Sequence, residues 1–177
     1  MRARLAMLKS VTAVALAAGL QCGTAEALTA TNTFTVTATV ANFCTVSAAN
    51  VAFGSVNAGA AATNTASSVT LTCNKGATVT AVALDNGANP SGTIKQMAFG
   101  AERLQYKIDV PTGATFTTCP AAGAGPEWNA TNTIVATSLF TATGGAKLIN
   151  ICASIPAGQF PLGGGYTDTV TVNVTYN

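Results

Sequence analysis

The chain has 177 residues, of which 8% are charged, with eight lysines and arginines, six aspartates and glutamates, and no histidine. This length fits a single domain, and the small charge difference excludes the basic stripe that nucleic acid or anionic lipid would need. The lack of histidine removes the usual catalytic triads and dyads and the commonest metal ligand.

The first 27 residues have the pattern of a secretory signal peptide. A basic start is followed by an uncharged apolar run over residues 11–20, and Ala25-Glu26-Ala27 supplies a small-x-small cleavage site. The run is short for a membrane span, so we expect no stable membrane insertion. Lipidation of Cys22 is the weaker alternative, because Gln21 stands where a small residue should precede the lipidated cysteine. Cleavage after Ala27 leaves equal numbers of acidic and basic residues.

Residues 28–40, LTATNTFTVTATV, form a two-faced ribbon with threonine at every odd position from Thr29 to Thr39. The even positions, mostly apolar, are Leu28, Ala30, Asn32, Phe34, Val36, Ala38 and Val40. This alternation predicts a strand with one face for a core. The same alternation fits a strand inserted into the chain's own sandwich and a strand inserted into another molecule. Asn32, polar on the apolar face, is expected near a groove end or at a position that sets the register.

The rest of the chain continues the period-two pattern in Thr/Val-rich runs, which predicts an antiparallel all-β fold. The predicted strands are residues 45–53, 68–73, 78–84, 104–110, 133–141, 147–155 and 166–176. Clusters of glycine, asparagine and proline separate them. Strands at this spacing are typical of an immunoglobulin-like sandwich.

The last predicted strand has the cleanest alternation after the opening ribbon. Val170, Val172, Val174 and Tyr176 fall on one face, and polar residues fall on the other. One face is therefore meant for a core. Since Asn177 follows directly, we expect this strand to lie at an open edge of the sandwich.

Four cysteines follow the predicted leader, namely Cys44, Cys73, Cys119 and Cys152. An even count in an exported chain predicts two disulfides formed in an oxidising compartment. Three connectivities are possible; we favour Cys44–Cys73 and Cys119–Cys152, because each pair joins segments near in sequence. Zinc is the competing interpretation, and it is weak without a CxxC pair or a histidine.

No catalytic constellation is recognisable, so we expect no enzyme activity, no metal and no cofactor. The carboxylates that follow the leader are scattered singly, and the glycines at 163–165 fit a turn better than a phosphate loop. The single tryptophan, Trp128, is either a stacking platform for a sugar ring or, more commonly in a small β-domain, a packed loop residue.

Several short blocks stand out along the chain, namely CTVSA at 44–48, VAFG at 51–54, VTLTC at 69–73, LDNG at 84–87, LQY at 104–106, IPAGQ at 155–159 and GYTDTVTVNVTY at 165–176. Together they resemble the spore coat protein U domain, a family that includes the pilins of archaic chaperone–usher pili. The resemblance runs from about Phe43 to the C-terminus. Two departures are the missing tryptophan-glycine-aspartate turn and Cys152 in place of an aromatic residue; a Cys119–Cys152 disulfide would reconcile both.

The resemblance implies an incomplete immunoglobulin-like antiparallel β-sandwich that lacks one strand and carries an N-terminal donor-strand arm. It divides the chain into a signal peptide (1–27), the arm (28–42) and a pilin domain (43–177). Its partners would be a periplasmic chaperone, an outer-membrane usher, and copies of itself or sibling pilins. The implied chaperone- and subunit-binding residues of the C-terminal strand are Tyr166, Val170, Val172, Val174 and Tyr176.

The expected function is that of a structural subunit of a surface fibre, secreted through the periplasm and serving adhesion and biofilm formation. One alternative is a self-complemented glycan-binding module with Trp128 in its site. The other is a spore or cyst coat protein that shares the fold.

Overall fold

A computed structural model describes residues 26–64, 67–135 and 143–177. The predicted signal peptide lies outside the described residues except for its last two. Contacts divide the chain into two units, one ending at Ala38 and the other beginning at Thr39. In the described ranges, no helix has the length and apolar character needed to cross a membrane.

The described part of the first unit, residues 26–38, contains no strand. Its large apolar side chains Leu28, Phe34 and Val36 are exposed. The alternating residues of this segment are therefore not hydrogen-bonded into a sheet. A strand is completed only by a partner for its backbone N–H and C=O groups.

The described residues of the second unit form ten strands. They are β1 (Cys44–Ala48), β2 (Ala62–Asn64), β3 (Ser68–Cys73), β4 (Val79–Leu84), β5 (Lys95–Phe99), β6 (Glu102–Asp109), β7 (Ile134–Val135), β8 (Ala146–Asn150), β9 (Cys152–Ile155) and β10 (Val172–Tyr176). All pairs are antiparallel and give three sheets, ordered β1-β3-β8, β10-β4-β7 and β2-β9-β6-β5. The all-β antiparallel prediction is confirmed.

Alternate side chains of the strands point into the core, as expected for strands with one buried face. In β3, Val69, Leu71 and Cys73 are buried while the residues between them are half-buried. β6 repeats the pattern with Leu104 and Tyr106. β9 departs from it, because all four of its residues are buried.

Several strand boundaries differ from the prediction. The single strand expected at 147–155 is two, because Ile151 donates its N–H to Ser67 O at 2.9 Å and the chain passes from one sheet to another. The expected strand at 166–176 is regular only from Val172. β2 and β5 were not predicted, and most of the expected 133–141 strand lies outside the described residues.

Two disulfides lie within the second unit, with the pairing that the sequence favours. Cys44 bonds Cys73 across the first register position of β1 and β3, with Cα atoms 4.1 Å apart. Cys119 bonds Cys152, with Cα atoms 5.4 Å apart, and this bond attaches the loop before Trp128 to the start of β9. Each bond closes a loop, with sequence separations of 29 and 33 residues.

Replacing either cysteine pair by serines is expected to lower the free energy of unfolding by about 3–4 kcal/mol. The reason is that a disulfide closing a loop of this length reduces the chain entropy of the unfolded state by a comparable amount. Urea denaturation of C44S/C73S and C119S/C152S, each against the unchanged protein, measures the two losses. A loss below about 1 kcal/mol in either double variant would contradict the loop-closure argument.

Candidate functional site: an apolar groove between two sheet edges

A groove runs between two segments of the second unit, residues 48–58 on one side and 161–172 on the other. It consists of two adjoining cavities of about 590 and 580 Å³. They share the lining residues Val51, Ala52, Phe53, Met97 and Tyr166, so they form one continuous trough. At one end, Ala48 of β1 and Val172 of β10 line the trough, and each of these strands stands at the end of its sheet.

The floor of the groove is the hydrophobic core itself. The floor residues are Leu84, Met97, Leu104, Tyr106, Ile108, Ile151 and Ile155. All except Met97 are buried, and Met97 packs against the same cluster. A trough that opens directly onto the core is where an additional strand would complete a sandwich, because its apolar face would continue the packing.

The C-terminal wall, residues 161–172 and its continuation in β10, presents alternate side chains to the core. Tyr166, Val170, Val172 and Val174 are half-buried and pack on the core cluster, whereas the threonines between Tyr166 and Val172 are exposed. Tyr176 is 40% exposed, so it does not continue this inward row as closely.

The backbone of this wall is bonded on one side only. Thr167 exchanges both backbone hydrogen bonds with Ala98, and Thr171 O accepts from Asp85 N at 3.0 Å. Within the described residues, the N–H and C=O of Asp168 and Val170 make no hydrogen bond. Successive residues of an extended chain point these groups to opposite sides, so Asp168 and Val170 direct theirs toward the groove.

Asp168 anchors the wall to the rest of the sandwich. Its Oδ2 accepts from the Tyr106 hydroxyl at 2.6 Å, and its Oδ1 accepts from Ala88 N at 2.9 Å and Asn89 Nδ2 at 3.2 Å. Gly87 makes this approach possible: its φ is +83°, and an added Cβ would overlap the Asp168 carboxylate. Burial, followed by the hydrogen bond to Asp168 and its charge, raises the pKa of Tyr106 well above the ordinary tyrosine value.

Asp85 forms a second anchor. Its Oδ1 accepts from Thr171 N at 2.9 Å and from Gly87 N at 3.0 Å. Burial acts to raise the pKa of Asp85, but these hydrogen bonds to the charged form outweigh it, so the pKa lies below its usual value. Residues 85–89 and the block GYTDTVTVNVTY are therefore joined through two carboxylates. Neither carboxylate was among the predicted site residues, although both stand in blocks that carry the family resemblance.

Trp128 is not available as a sugar platform. Its side chain is fully buried, and its Nε1 donates to Val82 O at 3.0 Å. Buried Lys95 lies beside it, with Nζ 3.0 Å from Trp128 O and 3.1 Å from Glu127 Oε1. Burial of Trp128 therefore overturns the stacking role considered from the sequence, and the packed-loop interpretation is correct. The described ranges also contain no group of three cysteines or carboxylates placed to hold a metal ion.

The profile of the Spore Coat Protein U domain matches residues 30–173. The chain belongs to this family. A search of curated proteins found no significant match. Among solved structures, the fold is similar to a chain in the crystal structure of the CsuC-CsuE chaperone-tip adhesion subunit pre-assembly complex from archaic chaperone-usher Csu pili of Acinetobacter baumannii.

That structural similarity has a TM-score of 0.51 at 22% sequence identity. It covers 77% of this chain and 40% of the other, so the chain spans less than half the length of its structural neighbour. The likeness supports the immunoglobulin-like fold of a spore coat protein U domain.

In this member of the family, G87A is expected to destabilise the fold more than G76A. Both glycines have positive φ, which costs a residue with a side chain about 1–2 kcal/mol, but a Cβ has open space at Gly76 and meets Asp168 at Gly87. Thermal or urea unfolding of the two variants isolates the contact with Asp168. Equal losses would mean that the wall does not depend on this close approach.

D85N is expected to lower stability at pH 7, and its effect should shrink as the pH falls below the unfolded-state pKa and through the lower folded-state pKa. Because the folded-state pKa of Asp85 is depressed, its contribution is present above the unfolded value of about 3.9 and is lost as the pH falls through the folded-state pKa. The free energy of unfolding of both proteins, measured across this range, should converge at acid pH. A difference that is independent of pH would contradict this role.

Proposed function

We propose that the protein is a structural subunit of a surface fibre, in which residues 28–40 of one molecule fill the groove of the next. The groove between the two sheet edges carries this proposal. Its floor is core and its wall offers backbone groups without partners, so the surface suits one additional strand.

The ribbon matches the groove in length and in pattern. Its 13 residues span roughly 40 Å when extended at ~3.4 Å per residue, and the C-terminal wall of the groove has a comparable number of residues, 161–172. The even-numbered side chains would meet the floor, and the threonines would form the outer surface. Full burial of Leu28, Phe34, Val36 and Val40 contributes ~1.5–3 kcal/mol each before ordering costs.

These contacts would make the link between neighbouring subunits resistant to dissociation. Ladder hydrogen bonds add ~0.5–1.5 kcal/mol each, and the sum approaches the stability of a whole domain. Until it is filled, the same groove is an aggregation hazard. A periplasmic chaperone that covers it temporarily and an outer-membrane usher that coordinates the exchange fit this need. The solved structural neighbour comes from a complex with a chaperone, which supports that partner.

Export through the periplasm to the cell surface follows from this assembly route. Both disulfides require an oxidising compartment, in agreement with it. Adhesion and biofilm formation are the roles we assign to the fibre. A spore or cyst coat protein is the second candidate, favoured by the description of the family, and it differs in the structure assembled. The glycan-binding alternative loses its main support because Trp128 is buried.

Deleting residues 28–40, or introducing F34D, is expected to abolish stable polymers of the exported protein, because a carboxylate on the inner face would be buried without a partner. T35D is the matched control, since it places the same charge on the outer face and should leave polymers intact. Boiling-resistant ladders on denaturing gels and electron microscopy of shed fibres measure the outcome. Undiminished polymers after the deletion would refute the proposal.

A further inference from the structure

We propose that the arm enters the groove in one register, antiparallel to residues 161–172, with Asn32 directly opposite Asp168. This rests on the proposed function and adds to it a residue that sets the register. Asn32 is the single polar residue on the inner face of the ribbon, and Asp168 is the carboxylate that lines the groove.

The inner faces of the two segments have the same parity. On the wall, Tyr166, Asp168 and Val170 point inward, and the backbone groups of Asp168 and Val170 face the groove. On the arm, the inner positions are also even-numbered. Since directly opposite residues in a ladder project to the same face, even positions must pair with even positions. Allowed registers therefore differ by steps of two residues.

The orientation follows from two observations. Every pair of strands among the described residues is antiparallel, and antiparallel pairing is slightly more stable per residue. In that orientation, an arm that covers the groove from Val172 toward position 161 has Leu28 opposite Val172. Asn32 then falls opposite Asp168. A parallel arm over the same length would bring Asn32 opposite Gly164, which has no side chain to bond it.

The chemistry of Asp168 suits this pairing. Its two oxygens accept three hydrogen bonds in the structure, from Tyr106, Ala88 and Asn89. A carboxylate offers about four acceptor sites, so one site is left for the side-chain N–H of Asn32. A shift by two residues places Asn32 opposite Val170 or Tyr166. Opposite Val170, its amide would be buried against apolar groups. Opposite Tyr166, it would meet a neutral hydroxyl, which has already donated its proton to Leu162 O and is a weaker acceptor than a carboxylate.

The largest side chain of the arm finds its place in the same register. Phe34 comes opposite Tyr166, where the two cavities adjoin. Tyr166 already packs against Phe99, with ring centroids 5.7 Å apart. Adding Phe34 would extend this aromatic pair into a cluster, an arrangement that stabilises beyond simple area burial.

Cross-linking in assembled polymers tests the register directly. Thr31 and Thr169 would face each other on the outer side as a non-hydrogen-bonded pair, with Cα atoms about 4.5 Å apart, a distance that a disulfide accepts. Mild oxidation of polymers of T31C/T169C should therefore give covalent ladders on non-reducing gels. The matched controls T29C/T169C and T33C/T169C are displaced by two residues in either direction and should cross-link weakly.

The outcomes separate the two proposals. Ladders from T31C/T169C support the register. Stronger ladders from either control, in polymers that assemble normally, overturn the register and leave donor-strand assembly intact. Normal polymers without ladders from any pair also overturn it. Polymers that persist undiminished after deletion of the arm would instead refute donor-strand assembly itself.

A second measurement tests the role of Asn32 without changing the pilin domain. N32D would bring a second carboxylate against Asp168, so its polymers should dissociate at lower denaturant concentration than the unchanged polymers at pH 7. The difference should shrink at a pH where carboxylates are protonated. T33D carries the same charge on the outer face and should change dissociation much less. Equal effects of N32D and T33D would contradict the pairing.

Discussion

The organisation of this protein depends on one unmet requirement of β-structure, namely that the backbone of an edge strand needs a partner. Residues 48–58, which follow from the edge strand β1, and the C-terminal segment that leads into the edge strand β10 lie on either side of a trough whose floor is the core. A closed sandwich would bury these edges. Here, the inner backbone groups of Asp168 and Val170 and the apolar floor are presented together, so the surface that limits solubility is also the surface that suits assembly.

An open edge retains its shape only if something other than a ladder holds it. In the C-terminal wall, two carboxylates supply that support. Asp85 takes the N–H of Thr171, and Asp168 reaches across Gly87 to Tyr106 and the following loop. These anchors fix residues 167–171, where regular pairing with β4 has not yet begun. The wall is thereby set in an extended form before any strand is added, which reduces the ordering cost of binding.

Much of the fold was predictable from alternation alone, because the period of two is imposed by the pleat. β3 was predicted to its boundaries, and of the three possible cysteine pairings the structure has the one that was favoured. The change of sheet at Ile151 was not predictable, since Ile151 is followed at once by the apolar residues Cys152 and Ala153 and the sequence gives no sign of where the hydrogen bonds change partner. The supporting roles of Asp85 and Asp168 were missed for a related reason: a lone carboxylate in a turn motif shows nothing of a partner that is 80 or more residues away.

In the fibre proposed above, the Cys44–Cys73 bond would have a mechanical consequence. Tension along the fibre would reach each subunit through the chain that precedes Cys44, and would tend to peel β1 from its neighbour one hydrogen bond at a time. Because Cys44 and Cys73 are the first register pair of β1 and β3, the load would pass covalently into a strand with neighbours on both sides. Unzipping from the end of an edge strand, which is the weakest way to load a sheet, would then be replaced by shear across a central strand.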